Sequence, residues 1–223
     1  MSREEKDFLA FHLVFALLCV AVLAAPLAVQ AGPRMAALTA LYLVAFPFTA
    51  IRRGHRWWVD LWAFAFVTSA FQVFPDWFLS AELGILVFPP DGFPKIGTVS
   101  GYMAGLWSIP LVCVIFAGRR AAERVSTRAG YVAAAIASLL VFGMSEETVW
   151  MIPSWYATGV RTLGHTALYV IVPEILLGLS AYWMYDRVRG KGLRVKLPAA
   201  FCVMAFYLGN LALFFFLVER ILR

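Results

Sequence analysis

Four carboxylic acids interrupt stretches of sequence that are otherwise almost wholly apolar: Asp76, the adjacent Glu146 and Glu147, and Glu174. An acid in a membrane-spanning helix costs about 3 kcal/mol on insertion scales, so it faces protein, finds a partner and marks a functional site. No Lys or Arg lies in the three apolar stretches that carry these acids. A carboxyl buried without a cation holds its proton near neutrality. A protonated carboxyl in a dry chamber donates a proton, and an ionised neighbour accepts one back. Aromatic residues accompany the acids: Phe74 and Trp77 around Asp76, Trp150 and Trp155 after the glutamate pair, Tyr169 before Glu174, and Trp107 between them. Aromatic faces attract cations. Protonation of an alkene and guidance of the resulting carbocation need those two ingredients and no cofactor, which makes these six aromatics candidate substrate-binding residues. His165 is a further candidate for proton transfer.

The elements that must position these groups are legible in composition. Of 223 residues, 62% are apolar and 14% charged, with a mean hydropathy of +0.80, against about 25% charged in soluble domains. A run of about 20 apolar residues crosses the hydrocarbon core. The pattern predicts an all-α bundle of seven transmembrane helices in one domain covering residues 1–223. The predicted spans are 8–30, 34–51, 57–80, 100–118, 129–150, 163–185 and 197–218. Asp76 and the glutamate pair then lie near span ends. Glu174 lies about ten residues, or ~15 Å, below Gly164, near the midplane. Asp60 beside Arg56, and Asp186 beside Arg187, are expected as boundary charges; Glu82 and Asp91 are expected in water.

Fourteen of the nineteen Lys and Arg flank one set of span ends. The excess of positive charge predicts a cytoplasmic N-terminus and an external C-terminus. The net charge of +6 therefore reads as headgroup anchoring, with membrane lipids as partners and no nucleic acid. Ala-Val-Gln-Ala (28–31) looks like a signal cleavage site, but Glu4, Glu5 and Asp7 are foreign to a basic n-region, so the first run is expected as a helix. Cys19, Cys113 and Cys202 sit inside spans without metal-ligand spacing. His12 and Asn210 are expected as single interhelical contacts.

Two apolar, Gly- and Pro-containing connections, 81–99 and 150–162, are too broken to span and are expected to cap the outer end of the bundle. A shift of 63 residues aligns Pro90 with Pro153, Gly101 with Gly164, Ala104 with Ala167 and Pro110 with Pro173. A faint parallel repeat follows, with spans three to six as the working unit.

Residues 70–185 resemble the integral-membrane terpene cyclases of the lycopene-cyclase-domain family. The likeness rests on Asp76 followed by Leu-Gly-Ile-Leu-Val-Phe (83–88), the Ile-Pro-Leu ending at Leu111, and Val-Pro-Glu (172–174), which is similar to that family's Pro–Glu–Glu motif. Ile175 stands where the motif has its second acid. The resemblance implies acid-initiated cyclisation of an apolar isoprenoid, without metal or other cofactor, and carries over to Glu174 and Asp76. A proton-coupled carrier of a small molecule or lipid would use the same acids, and a non-catalytic scaffold subunit is the third reading. A retinal protein needs a Schiff-base lysine in its last span, and 197–218 has none; Asp-rich Mg²⁺ motifs and zinc-protease spacings do not occur either. Reporter fusions should place the loop around residues 119–128 in the cytoplasm; an external reporter signal there would reverse the orientation.

Overall fold

In hydrocarbon a chain must satisfy its own backbone donors and acceptors, and helices do so within one segment. The computed structural model describes residues 1–26, 28–152 and 154–222. Among them, seven helices are long and apolar enough to cross a membrane: α1 (Arg3–Ala24), α2 (Ala31–Arg53), α3 (Arg56–Glu82), α4 (Met103–Arg124), α5 (Thr127–Met151), α6 (Leu168–Val188) and α7 (Leu193–Ile221). Ser2 and Glu5 form a capping box that starts α1, five residues earlier than the sequence predicted. Gly54, at φ 79°, closes α2 in the left-handed conformation, as only glycine does readily.

Prolines shape α3 and α4 beside the acids. Pro75 has no N–H for the carbonyl four residues back, and regular helix gives way to a turn at Gln72 before resuming over Val73–Trp77. The last turn, Phe78–Glu82, is π-helical. Pro110 stands in the same relation to the interruption of α4 at Trp107.

Two predicted spans are corrected. Residues 100–102 and 163–167 are not helical. They belong to hairpins made by β2 (Lys95–Ile96) with β3 (Val99–Ser100) and by β5 (Thr162–Leu163) with β6 (Thr166–Ala167), while β1 (Leu86–Val87) pairs with β4 (Tyr156–Ala157). Gly97 and Gly164, both at φ 62°, turn the two hairpins, so α4 and α6 start later than hydropathy suggested.

Those glycines also correct the repeat. Gly164 corresponds to Gly97, a shift of 67 residues, rather than to Gly101. In α3 and α5 the shift is 70: Thr68 and Ser138 each donate to the carbonyl four residues back, and Asp76 and Glu146 follow eight residues later. Between the halves, Leu86 pairs with Ala157 and Val87 with Tyr156, the reciprocal pattern of a two-fold relation. Pro153, which the 63-residue shift matched with Pro90, lies outside the described residues.

α3 packs against α2, α4 and α7, and α4 to α7 pack in succession. At the end opposite the hairpins, ionic contacts gather four basic segments. Glu4 accepts from the indoles of Trp57 and Trp58 and pairs with Arg120. Glu5 pairs with Arg124, and Asp7 bonds His55 at 2.9 Å. Asp60 pairs with Lys196 at 2.5 Å, not with Arg56, and Asp186 with Arg189 rather than Arg187. The acids of the N-terminus thus clamp α1. His12 contributes a 3.0 Å bond to the Tyr42 hydroxyl.

Small residues let α4, α5 and α6 approach closely. A Cβ at Gly130 would stand 2.5 Å from the Tyr182 hydroxyl and 2.9 Å from the Gly118 carbonyl. Gly130→Leu should therefore lower stability by about 1–3 kcal/mol in SDS unfolding titrations. Gly143→Leu, where a Cβ meets nothing within 4 Å among the described residues, should not lower it.

Candidate functional site

A cavity of about 240 Å³ opens between α4 and α5 near the hairpin end. Trp107, Pro110, Phe142, Glu146, Trp155 and Glu174 form much of its wall. Glu174, in the second turn of α6 from the hairpin side, is buried to 4% exposure. The Glu146 carboxylate accepts a 3.1 Å bond from the Trp155 indole. Asp76, 3% exposed, stands behind Trp107, whose indole donates to its Oδ2 at 3.0 Å. In the corrected register Trp107 corresponds to Glu174 and Asp76 to Glu146. One half thus pairs acid with indole, while the other brings two carboxyls to one cavity. Among the described residues none of these three acids forms an ion pair.

The remaining sequence candidates divide. Trp107 and Trp155 line the cavity. Tyr169 is buried but does not line the cavity, and lies edge-on to Phe215 at 5.6 Å. Phe74, Trp77 and Trp150 do not line the cavity. Phe74 is 55% exposed, Trp77 lies over the Gly97 turn, and Trp150 stacks on His165 at 4.5 Å. The 3₁₀ turn at Val149–Met151 moves Trp150 off the face it would share with Glu146 on a continuous α-helix.

Glu147 and His165 are likewise not in the cavity. Successive helical residues point about 100° apart, so Glu146 turns inward and Glu147 outward. Glu147 accepts from the His165 backbone at 2.8 Å and from the Thr166 hydroxyl at 3.2 Å, and its carboxylate meets His165 Nδ1 at 3.3 Å. The pair fastens the second hairpin turn. His165, which falls inside the predicted span 163–185, sits in that turn instead.

Three features escaped the sequence reading. Asp91, expected in water, is buried and accepts from the Phe93 backbone and the Ser100 and Tyr102 hydroxyls, each at 2.9 Å. Tyr102 also contacts the Ser154 hydroxyl at 2.7 Å, so Asp91 and Tyr102 bind the two capping connections together. Tyr207 of α7, 3% exposed, stacks edge-on at 6.0 Å to Trp107, the residue that bonds Asp76. Gln72, one turn before Asp76, is fully buried, and neither of its side-chain polar atoms has a partner among the described residues; the same holds for the buried Ser69 hydroxyl. The sequence signal for these two was their helical register with Asp76.

A family match covers residues 73–218 and so takes in Asp76 and every residue of the cavity wall named above. The chain belongs to the DUF6989 family, a domain of unknown function. The match begins shortly before Asp76 and leaves out α1 and α2, which contribute only Met35 to the cavity wall. No curated protein and no solved structure matches the chain. Among the described residues of this DUF6989 member, no group of three His, Cys, Asp or Glu is arranged to hold a metal ion.

An unpartnered buried amide costs about 1–3 kcal/mol. Gln72→Leu should accordingly raise stability by an amount in that range, read from the same SDS titrations, because it removes two unpaired polar atoms without opening a large void.

Proposed function

We propose that this DUF6989 protein is a membrane-embedded, cofactor-independent isoprenoid cyclase that protonates an apolar polyprenyl-type substrate. The observation that carries the reading is the convergence of Glu146 and Glu174 on one apolar, aromatic-walled cavity, free of ion-pair partners among the described residues. The Glu174 carboxyl adds its proton to a substrate double bond, leaving a carboxylate and a carbocation. The ring closes when a second double bond of the substrate attacks that cation. Loss of a proton from the adjacent carbon to the Glu146 carboxylate restores an alkene. Trp107, Trp155 and Phe142 present ring surfaces to the cation. Trp107 couples the cavity to Asp76, a third proton store. His165, bonded to Glu147 at the hairpin turn, has no part in this scheme. The positive-charge distribution supports a cytoplasmic N-terminus, with the cavity in the outer half of the bilayer.

The interruption of both α3 and α4 next to the acids favours a second reading, a proton-coupled carrier whose broken helices move around a fixed carboxyl site.

Purified protein incubated with linear polyprenols and polyprenyl hydrocarbons, followed by mass spectrometry of the extract, separates the two. Cyclised product should form, and Glu174→Gln or Glu146→Gln should reduce it by about 10²-fold or more, while Glu147→Gln should not. Product formation indifferent to both cavity substitutions would remove the acids from the mechanism. No product from any isoprenoid, together with flux driven by a pH gradient in liposomes, would make the carrier the better account.

A further inference from the structure

A second recess lies on the other side of α5. It is a groove of about 440 Å³ between α5 and α6, walled by Leu139, Leu140, Gly143 and Met144 on one side and by Ile171 and Glu174 on the other. Among the described residues, Glu174 is the one that borders both this groove and the inner cavity. Leu139, Leu140 and Met144 are exposed on a membrane-spanning helix, so the groove opens toward lipid.

We propose that this groove is a lateral binding site for a single neutral isoprenoid chain drawn from the bilayer, and its route to Glu174. The inference rests on the proposed cyclase reading of the inner site.

Gly143 marks the opening. The other glycines within α4, α5 and α6 are needed for packing: a Cβ at Gly105, Gly118, Gly130 or Gly178 would press on a neighbouring side chain or backbone. At Gly143 it would meet nothing within 4 Å. A glycine in a helix interior is disfavoured relative to alanine, and here no helix contact among the described residues offsets that. A notch beside an acid does explain it.

The walls also specify the occupant. Among the described residues no Lys or Arg lines the groove, so none of them pairs there with a phosphate headgroup. The polar rim at the hairpin end is already engaged, with Glu147 bonded to His165 and Thr166. What remains is an apolar trough with one carboxyl at its inner wall, suited to a hydrocarbon chain whose double bonds pass beside Glu174. Phospholipid chains would share the apolar contact but would be held no better here than elsewhere around the bundle.

The full-length protein in phosphatidylcholine nanodiscs would be photolabelled with diazirine-tagged geranylgeraniol or, separately, with diazirine-tagged phosphatidylcholine, and adducts mapped by mass spectrometry. The prenyl probe should label Leu139, Leu140 and Met144 about tenfold above Val132 and Ile136, which are exposed on the same helix. Excess unlabelled geranylgeraniol should compete, and the phospholipid probe should label both sets alike. Gly143→Trp, and the smaller Gly143→Leu, should abolish the groove labelling while SDS stability is retained. Equal labelling of both sets by the prenyl probe, or groove labelling untouched by either Gly143 variant, would overturn the proposal. Saturable groove labelling without any cyclised product would support the site and count against the cyclase. Cyclised product without groove labelling would do the reverse.

Discussion

The bilayer offers no water to a polar group, so each carboxyl carried into it must be answered by protein. That requirement organises the hairpin half of this molecule. Asp76 is answered by the indole of Trp107 and Glu146 by that of Trp155, and tryptophan suits the task because it supplies one donor on a large apolar body. Glu147, at the rim, is answered by a backbone N–H and a hydroxyl. Asp91 draws three donors from its own connection and the adjoining strand and turn. Glu174 borders two recesses instead, which is why the chemical argument converges on it.

The two-fold relation between α3–α4 and α5–α6 gives that convergence an architectural source. Each half contributes a helix ending beside an acid, a connection that caps it, a hairpin turned by a left-handed glycine, and a buried tyrosine at the start of the returning segment, Tyr102 or Tyr169. The halves then diverge where chemistry is concerned. At one pair of equivalent positions stand Asp76 and Trp107, and at the other Glu146 and Glu174. Duplication supplies the frame, and the exchange of an indole for a carboxyl makes the second half the reactive one in the proposed scheme.

The opposite end of the bundle answers its charges with salt bridges rather than indoles alone. Glu4, Glu5 and Asp7 tie α1 to the turn before α3 and to the C-terminal end of α4, and the Asp60–Lys196 pair ties α3 to α7. α1 itself is mostly lipid-facing, with Glu5, Phe8 and Phe15 its buried residues. Its attachment depends on these contacts and on the stack of Phe8 on Phe116 at 3.6 Å.

Hydropathy determined the seven helices and their chain order, because crossing hydrocarbon imposes a length and a composition that short-range sequence records. It also marked Asp76, Glu146 and Glu174 as exceptional, since isolated acids in apolar runs stand out without knowledge of the fold. Tertiary structure alone decided which of two adjacent glutamates faces the cavity, because that choice depends on helix rotation against α4 and α6. It decided that Asp91 is buried, since its donors come from folded turns. It set the repeat at 67 to 70 residues rather than 63, because the correspondence rests on backbone conformation at Gly97 and Gly164 more than on residue identity. The withdrawal of Phe74, Trp77 and Trp150 from the cavity, and the arrival of Tyr207 beside it, have the same cause. An aromatic residue is equally at home against lipid, a turn or a buried acid, and only the packed neighbours distinguish these places.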